Sequence, residues 1–380
     1  MSASYTSPDA PPCGAGVNGD QTTRSLIVGG GKIGEAITAL LCGTNDYAVT
    51  IADRDGQALE RLKGTWNGKI STRCLDVSDG RAMREAIAGH DVVLNAGPFS
   101  LTPVVAEAAK DCGAGYFDLT EDVASTRCVK GLSEGANSVF VPQCGLAPGY
   151  ISIVANDLAK RFDEIHEIRM RVGALPQYPS NALKYNMTWS TEGLINEYCN
   201  PCEAIHEGEM REVLPLEGLE EFALDGVTYE AFNTSGGLGT LCESYAGKVR
   251  DLNYKTIRYP GHNAIIKLLL NDLGLSSHRD LLKSVLETSV PATPQDVIVI
   301  FVTVSGMQNG RLTQESYAKN VYGKELGGQR WSAIQLTTAA GICAMVDLVR
   351  GGHLPAQGLV KQEQADLSLF LENRFGQYYV

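Results

Sequence analysis

The chain predicts an α/β fold, a doubly wound parallel sheet with an inserted second α+β domain on a mixed sheet. Three observations predict it. Strand and helix signals alternate from Leu26 to about Val141, the pattern of parallel strands joined by right-handed crossovers. The first of these units carries Gly29, Gly31 and Gly34 between a short apolar strand and a helix. After Pro148-Gly149 the alternation gives way to longer β segments and polar turns, which mark a second domain.

The elements follow in order. Residues 26–28 read as a strand and 33–41 as a helix, then 49–52 as a strand with a helical stretch after Asp55. Residues 72–75 are short and extended, and Asp79 is placed to cap a helix running through Ala88. Residues 91–94 form a strand that ends at Asn95-Ala96-Gly97-Pro98-Phe99; an alanine-rich helix follows over 103–112, and two more strands over 115–119 and 138–141. Beyond Gly149, Ile151, Val154, Leu158 and Phe162 share one face of a helix. Residues 167–172 and 184–189 read as extended, 200–230 as polar with turns, and 297–304 as a strand that 307–311 turns into a hairpin. Residues 331–349 are helical and rich in small residues, suited to pack back on the first sheet. The expected organisation is a tail over 1–24, a first domain over 25–148 completed by about 335–380, and a second domain over 149–334.

The bulk properties bound the partners. The 380 residues are 44% hydrophobic and 20% charged, enough to bury a full core, and carry a formal net charge of −12. No Lys/Arg-rich block is present, so neither nucleic acid nor an anionic membrane is an expected partner. No stretch reads as a bilayer span, and the tail lacks an apolar signal region. Ten cysteines scattered through apparent strands and helices read as buried free thiols, and a cytoplasmic location is expected.

The glycine run has a specific chemistry. In Ile27-Val28-Gly29-Gly30-Gly31-Lys32-Ile33-Gly34, Gly29 makes a tight turn, Gly31 lets backbone approach a pyrophosphate, and Gly34 lets helix pack close to strand. The helix start at Lys32 and Ile33 offers N–H groups and the positive end of its dipole. Asp53 closes the second strand about 20 residues on, where a carboxylate accepts from a ribose 2′-hydroxyl and repels a 2′-phosphate. The site is therefore a Rossmann dinucleotide site with NAD expected and NADP less favoured, Arg54 being the residue that argues for NADP. Asp76 is placed to meet the adenine, and Asn95, Ala96 and Gly97 to lie beside the nicotinamide ribose.

Several groups are candidates for the substrate. Glu121 and Asp122 sit at a strand end as a base or an ammonium site, or else as first-turn acids behind a Thr120 cap. Glu192 opens a helix where the second domain faces the cleft, and Thr234 and Ser235 lie in a glycine-dense polar run suited to a carboxylate. On a strand over 254–259, Thr256 and Arg258 share a face with Lys255 opposite, which makes Arg258 a bidentate carboxylate clamp. His262 is a candidate proton carrier. Cys199, Cys202 and His206 supply too few ligands for a zinc site, so no metal is expected.

Six stretches together resemble the saccharopine dehydrogenase family: Asn95-Ala96-Gly97-Pro98-Phe99, Tyr116-Phe117-Asp118-Leu119-Thr120, Cys144-Gly145-Leu146-Ala147-Pro148-Gly149, Trp189-Ser190-Thr191-Glu192-Gly193, residues 233–238, and Trp331-Ser332-Ala333-Ile334-Gln335. The resemblance implies a Rossmann domain interrupted by a substrate domain that often mediates dimerisation, so a homodimer or higher homo-oligomer is expected. It also implies a nicotinamide-dependent oxidoreductase acting on an amino-acid C–N bond. Two departures point to the branch that oxidises the ε carbon of L-lysine and releases ammonia: Ala147 stands where saccharopine enzymes have an aspartate, and Glu192 where they have a basic residue. Saccharopine oxidation, a carboxylated-polyamine substrate, or a non-catalytic NAD sensor are the alternatives.

Overall fold

The structure, a computed structural model, describes residues 22–380. The tail expected over 1–24 lies mostly outside the described residues, and its last two positions already belong to the first strand.

The first sheet is built from β1 (Thr23–Val28), β2 (Tyr47–Asp53), β3 (Ile70–Cys74), β4 (Val92–Asn95), β5 (Gly115–Asp118) and β6 (Val139–Val141). Their spatial order is β6-β5-β4-β1-β2-β3, and every pairing is parallel. The crossover helices are α1 (Lys32–Cys42), α2 (Gly56–Thr65), α3 (Gly80–Ile87), α4 (Thr102–Cys112) and α5 (Val123–Ser133). The strand order reverses between β1 and β4, and ligands of such sheets bind beyond the strand ends at that reversal. The central strands are apolar on both faces because helices cover both: Leu26, Ile27 and Val28 are fully buried. Asp55 and Asp79 cap α2 and α3 through their side chains.

α6 (Tyr150–Ala159) leads into a mixed sheet of β7 (Glu164–Pro176), β8 (Cys202–His206), β9 (Glu209–Val213), β10 (Glu220–Leu224), β11 (Val227–Asn233), β12 (Val249–Arg258), β13 (Asp296–Gln308) and β14 (Arg311–Tyr322). The long path runs β10-β11-β12-β7-β13-β14, with β7 parallel to β12 and antiparallel to β13. Residues 200–230, expected as turns, hold strands β8 to β10. Their signals are Glu207-Gly208 and Asp225-Gly226, pairs with positive φ at both residues that close two-residue hairpins. Asn309-Gly310 closes β13 on β14 in the same way. Residues 184–189, expected as extended, form no strand; a single bridge joins Met187 to Ala292.

α7 (Thr191–Cys199) and α10 (Arg279–Ser289) pack together in the second unit, between them in sequence lie α8 (Leu241–Tyr245) and α9 (His262–Lys267), and α11 (Ala333–Arg350) returns to lie on α1. Of these later helices α7, α10 and α11 line the cleft. A strand pair, β15 (Lys324–Leu326) and β16 (Gln329–Trp331), leads into α11, and β17 (Gly358–Leu359) then extends the first sheet beside β6. α11 is as long and apolar as a bilayer span, but 72% of it is buried inside the protein. The cysteines divide more evenly than expected: among the described ones Cys144, Cys202, Cys242 and Cys343 are buried, whereas Cys74, Cys112 and Cys128 are exposed, and none forms a disulfide.

A charged clamp ties the C-terminus to the first sheet. Arg374 donates to Asp347 at 2.7 Å and to Asp46 at 3.1 Å, and its guanidinium lies over the Tyr47 ring. Tyr47 in turn donates to Asp347 at 2.8 Å. The Arg374 hydrogen bond, offset by some burial and helped by the charges of Arg374 and Arg350, holds Asp46 down at about 2. A depressed carboxylate stabilises fully above its unfolded pKa and loses that contribution as pH falls through the folded one. Arg374→Ala is therefore expected to cost roughly 1–3 kcal/mol near neutral pH, discounted for partial exposure. The difference should shrink between about pH 4 and pH 2. Thermal melts of both proteins across that range check it, and equal melting temperatures at pH 7 would show the clamp to be idle.

Candidate functional site

The glycine loop is shaped for a ligand. Gly29 turns the chain after β1 with φ +100°, and its N–H donates across to Ala52 O of β2 at 2.8 Å. A methyl on Gly34 would fall 1.8 Å from Gly29 O, so only glycine lets α1 sit this close to β1. A methyl on Gly31 would meet nothing within 4 Å. Nothing within the protein requires glycine there, whereas a pyrophosphate lying on the backbone does. Gly31, Lys32 and Ile33 line the cleft, and no side chain caps the helix start. The residues present thus fit a nicotinamide dinucleotide.

Asp53 ends β2, and its Oδ2 accepts the Gly30 N–H at 2.7 Å while Oδ1 accepts from Asp55 at 2.9 Å. The carboxylate braces the loop and remains half-buried. Asp76, just past β3, is exposed and accepts from the N–H and hydroxyl of Ser78, which holds its carboxyl below the usual range. Asn95 is buried at the end of β4. It donates to Tyr116 and Thr102 and accepts the Gly97 N–H at 3.1 Å, which presents Ala96 and Gly97 to the cleft as backbone.

The cleft holds about 610 Å³ and runs from this loop to β7 and β12 of the mixed sheet. Glu121, Glu192, Glu197, Arg258 and Lys283 are among the charged side chains that line it. Arg258 is 2% exposed. Its Nε donates to Tyr198 at 2.8 Å, and Nη1 donates to Thr256 and Ile257 O. Tyr185 and Tyr198 present their rings to the guanidinium. Burial works against its charge, but Tyr198, Tyr185 and Glu197 together hold it firmly protonated.

Glu197 was not legible as a site residue. It lies one turn after Gly193 on α7, so the two share a face. Its Oε2 is buried without a hydrogen-bond partner and stands 3.9 Å from Arg258 Nη2, beyond hydrogen-bond reach. Burial pushes the carboxyl up to about 8 against the pull of Arg258, with Glu121 adding to the rise. Burial likewise raises Glu121. Gly193 admits both neighbours: a methyl there would fall 2.4 Å from the Trp189 ring and 3.2 Å from Glu121 Oε1. Ser190 caps α7 by accepting the Gly193 N–H.

The remaining candidates are placed differently. Asp122, not Thr120, caps α5, accepting the Ser125 N–H at 2.7 Å, so its carboxylate is engaged in a helix end. Glu192 is exposed at the cleft and paired with Lys283 at 2.6 Å. Thr234 and Ser235 line a separate small cavity of about 60 Å³ beside α5, together with Gln143 and Lys130. His262 is 1% exposed and does not line the cleft. Its Nδ1 meets Leu183 O and its Nε2 the Tyr198 hydroxyl, and burial with Arg258 nearby drives it down to about 3, so it stays neutral at the base of the Arg258 cluster. His206 pairs with Asp251, and among the described residues no cluster of His, Cys, Asp or Glu is able to hold a metal.

Residues 25–139 match the family model of the saccharopine dehydrogenase NADP binding domain, and residues 145–373 that of the saccharopine dehydrogenase C-terminal domain. A relative named saccharopine dehydrogenase [NADP(+), L-glutamate-forming] from Saccharomyces cerevisiae is 26% identical over 272 residues, 66% of this chain and 58% of that protein. The bovine mitochondrial alpha-aminoadipic semialdehyde synthase is 23% identical over 79% of this chain and 33% of its own length. The chain thus spans less than two thirds of either relative. A solved structure of apo saccharopine dehydrogenase (L-Glu forming) from S. cerevisiae superposes with a TM-score of 0.76 at 16% identity, covering 92% of this chain and 96% of that one, and so shares the fold. With both family models matched across nearly all described residues, the chain belongs to the saccharopine dehydrogenase family.

Proposed function

We propose that this chain oxidises the ε carbon of L-lysine with NAD and releases ammonia. One observation carries the reading: the inner cleft sets one cation, Arg258, against two carboxyls, Glu121 and Glu197. Lysine presents the complement, one carboxylate and two amines. Saccharopine presents three carboxylates, and of the other cations lining the cleft Lys283 is already paired with Glu192 while Lys32 belongs to the glycine loop. The charge argument therefore rests on the inner carboxyls rather than on Glu192.

The chemistry assigns the roles. An ε-ammonium has no lone pair to expel hydride, so it must first lose a proton. Glu121, at the end of β5 and raised by burial, takes it. A bound nicotinamide supplies the hydride acceptor. The substrate iminium then adds water and loses ammonia, leaving a semialdehyde that closes on its own α-amine. Arg258 holds the carboxylate, and the apolar walls at Ala147, Val172 and Ala174 keep bulk water from the reacting carbon.

Saccharopine oxidation is the second reading, favoured by the name of the yeast relative. For the cofactor, Asp53 argues for NAD, whereas the yeast relative is named for NADP(+), with Arg54 the neighbour suited to a 2′-phosphate.

Three outcomes are expected. NADH absorbance should rise with L-lysine and NAD and stay flat with saccharopine; the reverse pattern would establish the second reading. Glu121→Gln should lower kcat on the order of 10²–10⁴-fold, and kcat unchanged across pH would remove Glu121 as the base. Asp53→Ser should shift the ratio of kcat/KM for NAD over NADP toward NADP by about tenfold or more, measured with both cofactors on the same preparation.

A further inference from the structure

We propose that Glu197 and Arg258 act as one reader of the α-amino-acid head group, Glu197 taking the α-ammonium and Arg258 the α-carboxylate, so that the α-amine becomes a requirement for binding. The inference rests on the reading that the substrate is an amino acid and adds which residue recognises its α-amine.

The geometry carries it. A buried guanidinium and a buried carboxyl beside it ordinarily close into a hydrogen-bonded pair, because burial leaves each of them short of partners. Here they do not. Arg258 spends Nε and Nη1 on Tyr198, Thr256 and Ile257, while Nη2 makes no hydrogen bond among the described residues. Glu197 leaves Oε2 buried and without a partner. The two free atoms stand 3.9 Å apart on the cleft wall. A zwitterionic head group carries a hydrogen-bond donor and an acceptor on adjacent carbons, and it bridges such a gap with one charge-assisted bond at each end. A carboxylate alone would satisfy Arg258 and leave Glu197 unpaired.

The surroundings keep the pair poised. Arg258 is locked by its own hydrogen bonds and by the tyrosine rings, so it has no freedom to swing onto Glu197. Glu197 is held from behind, since its backbone C=O accepts the Ser235 N–H at 3.0 Å. The titratable groups acting on or beside its carboxyl are Arg258 and Tyr254 of β12, Glu121 after β5, Tyr198 on its own helix, Tyr185 and Cys202. Of these Arg258 is the cation, and it favours the charged form while burial opposes it. Burial therefore favours the protonated form of Glu197, and an incoming ammonium favours its carboxylate. Binding of the α-amino acid should release protons near neutral pH.

Calorimetry on the full chain with bound NADH, where no turnover is possible, tests this with L-lysine and 6-aminohexanoate, which lacks only the α-amine. The wild-type protein should prefer lysine by about 10–100-fold, and buffers of different ionisation enthalpy should reveal the released proton at pH 7. Glu197→Gln should bring the two ligands within about threefold and abolish the proton release, while NADH binding and the melting temperature stay unchanged. Glu197→Asp, which keeps the charge, should retain part of the preference. Equal binding of the two ligands by the wild type, or full discrimination by Glu197→Gln, overturns the inference. If saccharopine binds and lysine does not, the lysine reading falls, and the same variant measured on saccharopine decides the head-group inference through its affinity and proton release. If neither binds, both readings fall.

Discussion

The cleft depends on how one helix is anchored. The side chain of Asp296, fully buried at the start of β13, accepts the first N–H groups of α11 from Ala333 and Ile334 at 2.5 and 2.9 Å. A carboxylate at a helix N-terminus is favoured by the dipole and by the unpaired N–H groups there. From that anchor α11 crosses to α1, where its small residues allow close packing, and Ile334, Gln335 and Thr338 line the cleft on the way. α11 thus joins the mixed sheet to the dinucleotide sheet, beside α6, which packs on β13 and β7. Gly341 makes the crossing possible, since a methyl there would fall 2.5 Å from Cys144 O.

The polar interior is organised by which groups are satisfied and which are not. Asp118 is fully buried but accepts the N–H groups of Thr120 and Gln143, which fixes the two segments that flank the cleft below the glycine loop. Burial lifts its carboxyl to about 6 against those bonds. Asn95 performs the same service for Gly97. Arg258 and Glu197 differ from Asn95 in that both keep hydrogen-bonding capacity at the cleft, and a low-dielectric setting makes such leftovers costly unless a ligand completes them.

Much of this was legible in the chain. The strand–glycine–helix pattern with Asp53 beyond it pointed to a dinucleotide site, because the strand, the turn at Gly29 and the close approach at Gly34 are each marked by local residues. The periodicity of 254–259 put Arg258 and Thr256 on one face, where the structure has them hydrogen-bonded to each other. Glu197 escaped because a mid-helix glutamate carries no local signature; only the fold around α7 strips it of water. His262 shows the converse. Its residue type suggested proton transfer, but packing against Tyr198 and Arg258 keeps it neutral and out of the cleft. Hairpins β8–β9 and β10–β11 were masked by charged residues on exposed edge strands, although their X-Gly turns were present.

The three glycines of the loop answer to different judges. Gly34 is required by the chain itself, for a side chain there collides with Gly29 and the fold loses its first crossover. Gly31 has open space around it and is required only by what lies across it. Over generations of drift, damage at 34 is removed by the cell's quality control, whatever the protein is used for. Damage at 31 leaves a sound, abundant protein that has gone silent, so its persistence in a lineage records continued use of the cofactor rather than continued folding.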